Sequence, residues 1–186
     1  METGLVEKVN IERQRYVDYF EKETNFLKKD KENFAIELPI KINDETVSEP
    51  FNIVRVDFIT KDDNNEYSIS ELRLEKKLDY DRKRILYGNL EIDLNSFCWN
   101  NCEIQADKIE VDSLKDWVTK WLKIDEDIID GDLSKAIHSC MEPQFSADNV
   151  SFIIDFGTAT EIALTDLLQL LSDSGATEII IQTTEI

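Results

Sequence analysis

Hydrophobic positions along the chain switch repeatedly between helical and strand period. Over the first thirty residues Val9, Tyr16, Tyr19, Phe20, Phe26 and Leu27 fall on one stripe at about 100° per residue, with charge on the other side. That spacing predicts an amphipathic helix over 10–29, its stripe packed on the body of the protein. The period then drops to two. Ile36, Leu38, Ile40 and Ile42 alternate with mostly polar residues, as on a strand with one wet face. The stretch 51–60 alternates similarly, with Val54, Val56 and Phe58 against Ile53, Arg55, Asp57 and Ile59. Asp62-Asp63-Asn64-Asn65 predicts a hairpin turn, after which 67–75 continues as a strand. The stretches 85–94 and 98–109 supply two further strands, and the short polar connections predict an antiparallel meander.

Helical spacing returns at Ser113. Ser113-Leu114-Lys115-Asp116 has capping-box form, with Asp where Glu or Gln is usual, and Leu114, Trp117, Val118, Trp121 and Leu122 form an apolar stripe. A short helix is predicted over 133–141, ended by Pro143. Val150 to Phe156 reads as a buried strand broken by Gly157. Thr158-Ala159-Thr160-Glu161 again has capping-box form, before Leu164, Leu167, Leu168 and Leu171 at helical spacing. Gly175 stands where a helix C-terminal glycine belongs, and 177–183 is a strand. This strand–helix–strand order predicts a right-handed crossover whose two strands run parallel without having to be adjacent. The expected fold is α+β: an N-terminal helix, an antiparallel β-meander, then helices and a C-terminal strand–helix–strand unit. Residues 1–186 are expected to form a single domain, any sub-boundary falling near residue 110.

Charge adds what the hydrophobic pattern omits. The 186 residues carry 40 acids and 21 bases, a net charge of −19. Residues 88–186 hold 20 of the acids and 5 of the bases, and no Lys or Arg follows Lys135. Nucleic acid and anionic membrane surfaces are poor partners for such a chain, because both are bound by basic groups. A basic protein partner fits, since complementary fields speed encounter and aid selectivity. A large net charge also serves solubility alone. Neither a membrane span nor an uninterrupted signal-peptide core is present, and three cysteines do not suggest a disulfide framework; a cytoplasmic location is expected.

Candidate chemistry is sparse. Asp155-Phe156-Gly157 spells a kinase metal-binding tripeptide, but the glycine-rich and His-Arg-Asp loops are missing, so it reads as a strand end. Cys98, Cys102, His138 and Cys140 could supply a Cys3His zinc site. The two pairs stand 35 residues apart without knuckle spacing, which favours buried cysteines and a core or solvated histidine. Asp125, Glu126, Asp127, Asp130 and Asp132 invite calcium, yet from Asp125 the glycine falls at position 7 of an EF-hand loop rather than 6. From Glu126 the glycine fits, but positions 3 and 12 are Ile128 and Ile137. No catalytic residue, metal or cofactor is expected, and the five acids are instead the expected centre of an epitope for a basic partner.

The segment 153–181 carries Ile154-Asp155-Phe156-Gly157-Thr158-Ala159, a leucine-rich helix, and Ser174-Gly175-Ala176-Thr177-Glu178-Ile179-Ile180-Ile181. It resembles the ending of small acidic immunity proteins of bacterial polymorphic-toxin systems, and supplies no functional residue to carry over. The resemblance implies a protein that binds and neutralises a basic toxin, such as a nuclease. The alternatives are a structural or adaptor subunit whose acidity confers only solubility, and a phage-type inhibitor that mimics nucleic acid.

Overall fold

The computed structural model describes residues 3–30, 34–61, 64, 66–72, 74, 78–124, 133–147 and 149–183. Helix α1 (Thr3–Asp30) begins seven residues before the predicted start and buries Leu5, Val9, Tyr16, Val17 and Phe20. Phe26 departs from the predicted stripe and is 62% exposed. Six residues beyond Phe20 it has swung about 120° around the helix, whereas Leu27 returns to the buried side. Lys28 and Lys29 close the helix, where positive charge complements its dipole.

Strands β1 (Phe34–Lys41), β2 (Ile53–Lys61) and β3 (Tyr67–Ser70) form an antiparallel sheet in that order. Of the predicted turn between β2 and β3, Asp62, Asp63 and Asn65 lie outside the described residues. Strand β3 stops well short of the predicted 67–75, because the chain then turns to place the Leu72 amide on Asp57 Oδ2 at 2.6 Å. The alternation on β1 departs from prediction. Leu38 is 42% exposed while Glu37 is buried, with a left-handed φ of 51°. On β2, Arg55 and Asp57 are buried together with Val56 and Phe58.

The second sheet has the order β4-β5-β10-β6-β9-β7, with β8 also pairing β9. Its strands are β4 (Lys83–Tyr87), β5 (Leu90–Leu94), β6 (Cys102–Ala106), β7 (Ser139–Cys140), β8 (Gln144–Phe145), β9 (Val150–Asp155) and β10 (Glu178–Gln182). The predicted strand 85–94 is a hairpin, folded at Gly88 with φ 58°. The strand predicted over 98–109 is shortened to β6, a Cys98–Asn101 bridge closing a turn before it. The last two long strands do not touch: β6 lies between β9 and β10, antiparallel to both, and the parallel neighbour of β10 is β5.

Helix α2 (Val111–Leu122) buries Leu114, Trp117, Val118, Trp121 and Leu122, the whole predicted stripe. Helix α3 (Ile162–Asp173) buries Leu164, Leu167, Leu168 and Leu171. Neither predicted capping box starts its helix. Glu110 and Glu161 are the N-cap residues, Ser113 Oγ donates to Glu110 at 2.9 Å, and Thr158 is used elsewhere. At the end of α3, Gly175 (φ 82°) donates to Ser172 O and Ala176 to Leu171 O, both at 3.0 Å, closing the helix in a Schellman motif. The helix predicted over 133–141 does not form. Its backbone is drawn into pairing between strands: His138 N donates to Asp155 O at 2.8 Å, Met141 N to Ile153 O at 2.8 Å, and His138 O accepts from Arg55 N at 2.7 Å. The last bond joins the two sheets. One hydrophobic cluster takes side chains from both sheets and all three helices. Among the described residues, no helix is long and apolar enough to cross a membrane.

Candidate functional site

The polar residues that interrupt β1 and β2 converge on the chain between α2 and β9. His138 lies between two carboxylates, its Nε2 2.9 Å from Glu37 Oε1 and its Nδ1 2.9 Å from Asp57 Oδ1. With an acceptor at each nitrogen, the ring donates twice and is an imidazolium. Both carboxylates are saturated by further donors. Glu37 Oε1 accepts from Ser134 Oγ at 2.6 Å and from Thr158 Oγ1, and Glu37 Oε2 accepts from Ser134 N at 2.7 Å. Asp57 Oδ1 also accepts from Tyr16 Oη at 2.9 Å.

Local backbone features make this packing possible. Gly157, at φ 48°, lies against the imidazole, and a Cβ there would overlap the ring. Trp99 Nε1 fixes the Gly157 carbonyl at 2.9 Å. Arg55, also buried, donates to the carbonyls of Glu37, Leu122 and Lys123 at 2.6 Å each, holding β1 against the end of α2.

The electrostatics follow from these contacts. Burial pulls His138 toward its neutral form, but the bonds to Asp57 and Glu37 and the charge of Asp155 prevail and raise it to about 10. Burial pushes Glu37 upward, yet hydrogen bonding and charge from His138, with Ser134 and Thr158, hold it below the usual range. Asp155, whose carboxylate accepts from Gly157 N at 2.8 Å, is raised by burial to about 7 despite the nearby imidazolium. The imidazole is 3% exposed, and both nitrogens are committed. This is a sealed ion triad that fastens β1, β2 and the β7 segment together. It offers no open nitrogen or carboxylate oxygen to a substrate. Sequence alone exposed only its trace, the charged Arg55 and Asp57 inside an apolar alternation.

The cysteine and histidine residues considered for zinc have other environments. Cys98, Cys102 and Cys140 are buried and form no disulfide, and burial raises Cys102 and Cys140 well above the usual range. Among the described residues no three His, Cys, Asp or Glu side chains are grouped to hold a metal. Asp125, Glu126, Asp127, Asp130 and Asp132 lie outside the described residues.

Concave surfaces lie elsewhere among the described residues. A groove of about 460 Å³ runs between α2 and α3, lined by Glu110, Asp116, Asp166 and Asp173, with Trp117 and Leu170 among its apolar residues. Lys120 is the one basic residue among its described lining residues and pairs with Asp166 at 2.5 Å. The acidic segment 125–132 follows α2 closely in the chain. A second pocket, of about 440 Å³, opens between the β1–β2 loop and the chain after β7. Compared with protein-family models, curated proteins and solved structures, the chain matches none.

Proposed function

We propose that this protein is a non-catalytic acidic binder that neutralises a basic protein partner, a toxin nuclease being the kind of target in view. The observation that carries the reading is the segregation of charge: residues 88–186 hold 20 acids against 5 bases. Within that half, the α2–α3 groove combines four carboxylates with apolar contact area at Trp117 and Leu170. A basic surface would gain favourable steering from the former and desolvated contact from the latter. Asp125, Glu126, Asp127, Asp130 and Asp132 would extend the same field. The sealed triad keeps its carboxylates paired and contributes to the frame rather than to recognition.

The test is capture of partners from the native host by tagged protein at low and high salt, alongside two charge-neutralised variants. One replaces Asp116, Asp166 and Asp173 by Asn. The other neutralises Asp125, Glu126, Asp127, Asp130 and Asp132 with Asn and Gln. A single basic protein retained at low salt, released at high salt and lost by either variant is expected. A partner held equally by all three proteins and indifferent to salt would overturn the reading.

A further inference from the structure

The groove between α2 and α3 has a counterpart elsewhere on the same chain. On α3, Asp166, Leu170 and Asp173 stand at steps of four and three, and all three line the groove. On α1, Lys22, Phe26 and Lys29 repeat those steps with the opposite charge. Residues three and four apart share one helix face, so each triplet forms a row about 10 Å long. The three α1 residues are exposed, Phe26 by 62%. Asp18 and Glu23 border that row, and Gln14 Nε2 already donates to Asp18 at 2.6 Å. No residue of α1 is among the described residues that line the groove, so row and groove do not meet within one copy.

We propose that the α2–α3 groove of one copy receives the Lys22–Phe26–Lys29 row of a second copy of this chain. With the two helices side by side in the same direction, Lys22 meets Asp166, Phe26 packs on Leu170 beside Trp117, and Lys29 meets Asp173. Both carboxylates have room for the added donor. Lys120 donates to Asp166 Oδ2 and Gln169 to Asp173 Oδ1, which leaves Asp166 Oδ1 to Lys22 and Asp173 Oδ2 to Lys29. Other exposed aromatic side chains lack this pattern. Phe145 has no Lys or Arg within five residues, and Lys61 is already seated over the ring of Tyr67 at 5.4 Å. The contact joins two different surfaces, so it is heterologous. This inference rests on the groove as the acidic binding surface of the reading above and adds its regulation: a second copy covers that surface, and a basic partner must compete with it.

The experiment is sedimentation equilibrium of the purified full chain over about 10 µM to 1 mM, a range suited to weak interfaces. Mean mass should rise with concentration. The α1 variant Lys22→Glu, Lys29→Glu and the α3 variant Asp166→Lys, Asp173→Lys should each stay monomeric. Mixed in equal amounts the two should associate again, because each supplies the row or the groove that the other has lost. A chain with all four changes keeps the net charge, as −4 and +4 cancel, and should regain self-association. Phe26→Ala should weaken association about tenfold. Lys28→Glu, on the other side of the helix, should leave it unchanged. Circular dichroism melts check the fold of each variant; if the α3 variant fails to fold, the α1 variant, Phe26→Ala and Lys28→Glu, all at exposed positions, still decide the matter. A wild-type chain that stays monomeric at about 1 mM would overturn the proposal. So would variants of the row that associate as the wild type does, or a mixture and a four-change chain that both stay monomeric. Those results leave capture of a basic host protein untouched, whereas self-association with no basic protein captured overturns the partner reading alone.

Discussion

Carboxylates occur in two opposite settings in this molecule. Glu37 and Asp57 are buried, and every oxygen accepts a bond from His138, Tyr16, Ser134, Thr158 or the Leu72 amide. Those of the α2–α3 groove face solvent, and among the described residues only Asp166 pairs with a lysine there. The first setting spends charge on holding elements together. The second leaves charge available to an outside partner. Energetically the two should respond in opposite ways to the same neutralising substitution.

The largest effects belong to the triad. Glu37→Gln or Asp57→Asn strips one counter-ion from a buried imidazolium, and each is expected to lower unfolding stability by about 3–5 kcal/mol. Urea denaturation measures it; a loss near that of a surface change would mean that the triad is not ionised. Gly157→Ala comes next. Its Cβ would enter the space of the His138 ring at a backbone φ of 48°, and overpacking of this kind costs about 1–3 kcal/mol.

The triad also sets a pH profile. His138 stands at about 10, above its ordinary 6.5, so its stabilisation is fully present below 6.5 and is lost as pH rises through about 10. Asp155, raised from 3.8 to about 7, has the same sign: its protonated form suits the fold, and stability declines as it ionises. Glu37 is lowered, so its contribution is present above 4.5 and is lost as pH falls further. Stability should therefore peak near pH 5 and decline toward alkaline pH. Asp155→Asn should flatten the part of the decline below neutrality, and thermal melts across the range read both. A stability that rises steadily between pH 6 and 10 would contradict the protonated imidazole.

The same contrast explains what the amino-acid pattern could reveal. Helix α2 and helix α3 bury the leucine and tryptophan positions that their spacing marks, because each presents one face to one core. β1 and β2 break that logic. Glu37, Arg55 and Asp57 are buried because their partners come from distant parts of the chain, about one hundred residues away for the Glu37–His138 pair, and alternation carries no information about such partners. The short helix expected over 133–141 fails for a related reason: its backbone bonds are taken by Arg55, Ile153 and Asp155. Of the candidate site, the acidic bias was legible as composition, whereas the groove needed α2 and α3 to be side by side. The pocket of about 440 Å³ had no local signal, since its walls come from the β1–β2 loop and the chain after β7.

The smallest effects on stability are expected in the groove, where they discriminate most sharply between frame and surface. Replacing Asp116, Asp166 and Asp173 by Asn should leave stability within about 0.5 kcal/mol for each site, since exposed substitutions seldom do more. The Lys120–Asp166 pair is itself solvent-exposed, and such pairs contribute about 0–1 kcal/mol. Removing like charge from a chain of net −19 should also reduce the gain in melting temperature that added salt brings by screening self-repulsion. Affinity for a basic partner should fall in the same variant, and chiefly through slower association, because long-range attraction acts before contact. If the variant instead loses several kcal/mol of stability, its carboxylates belong to the frame as Glu37 and Asp57 do, and the division between holding charge and offered charge fails.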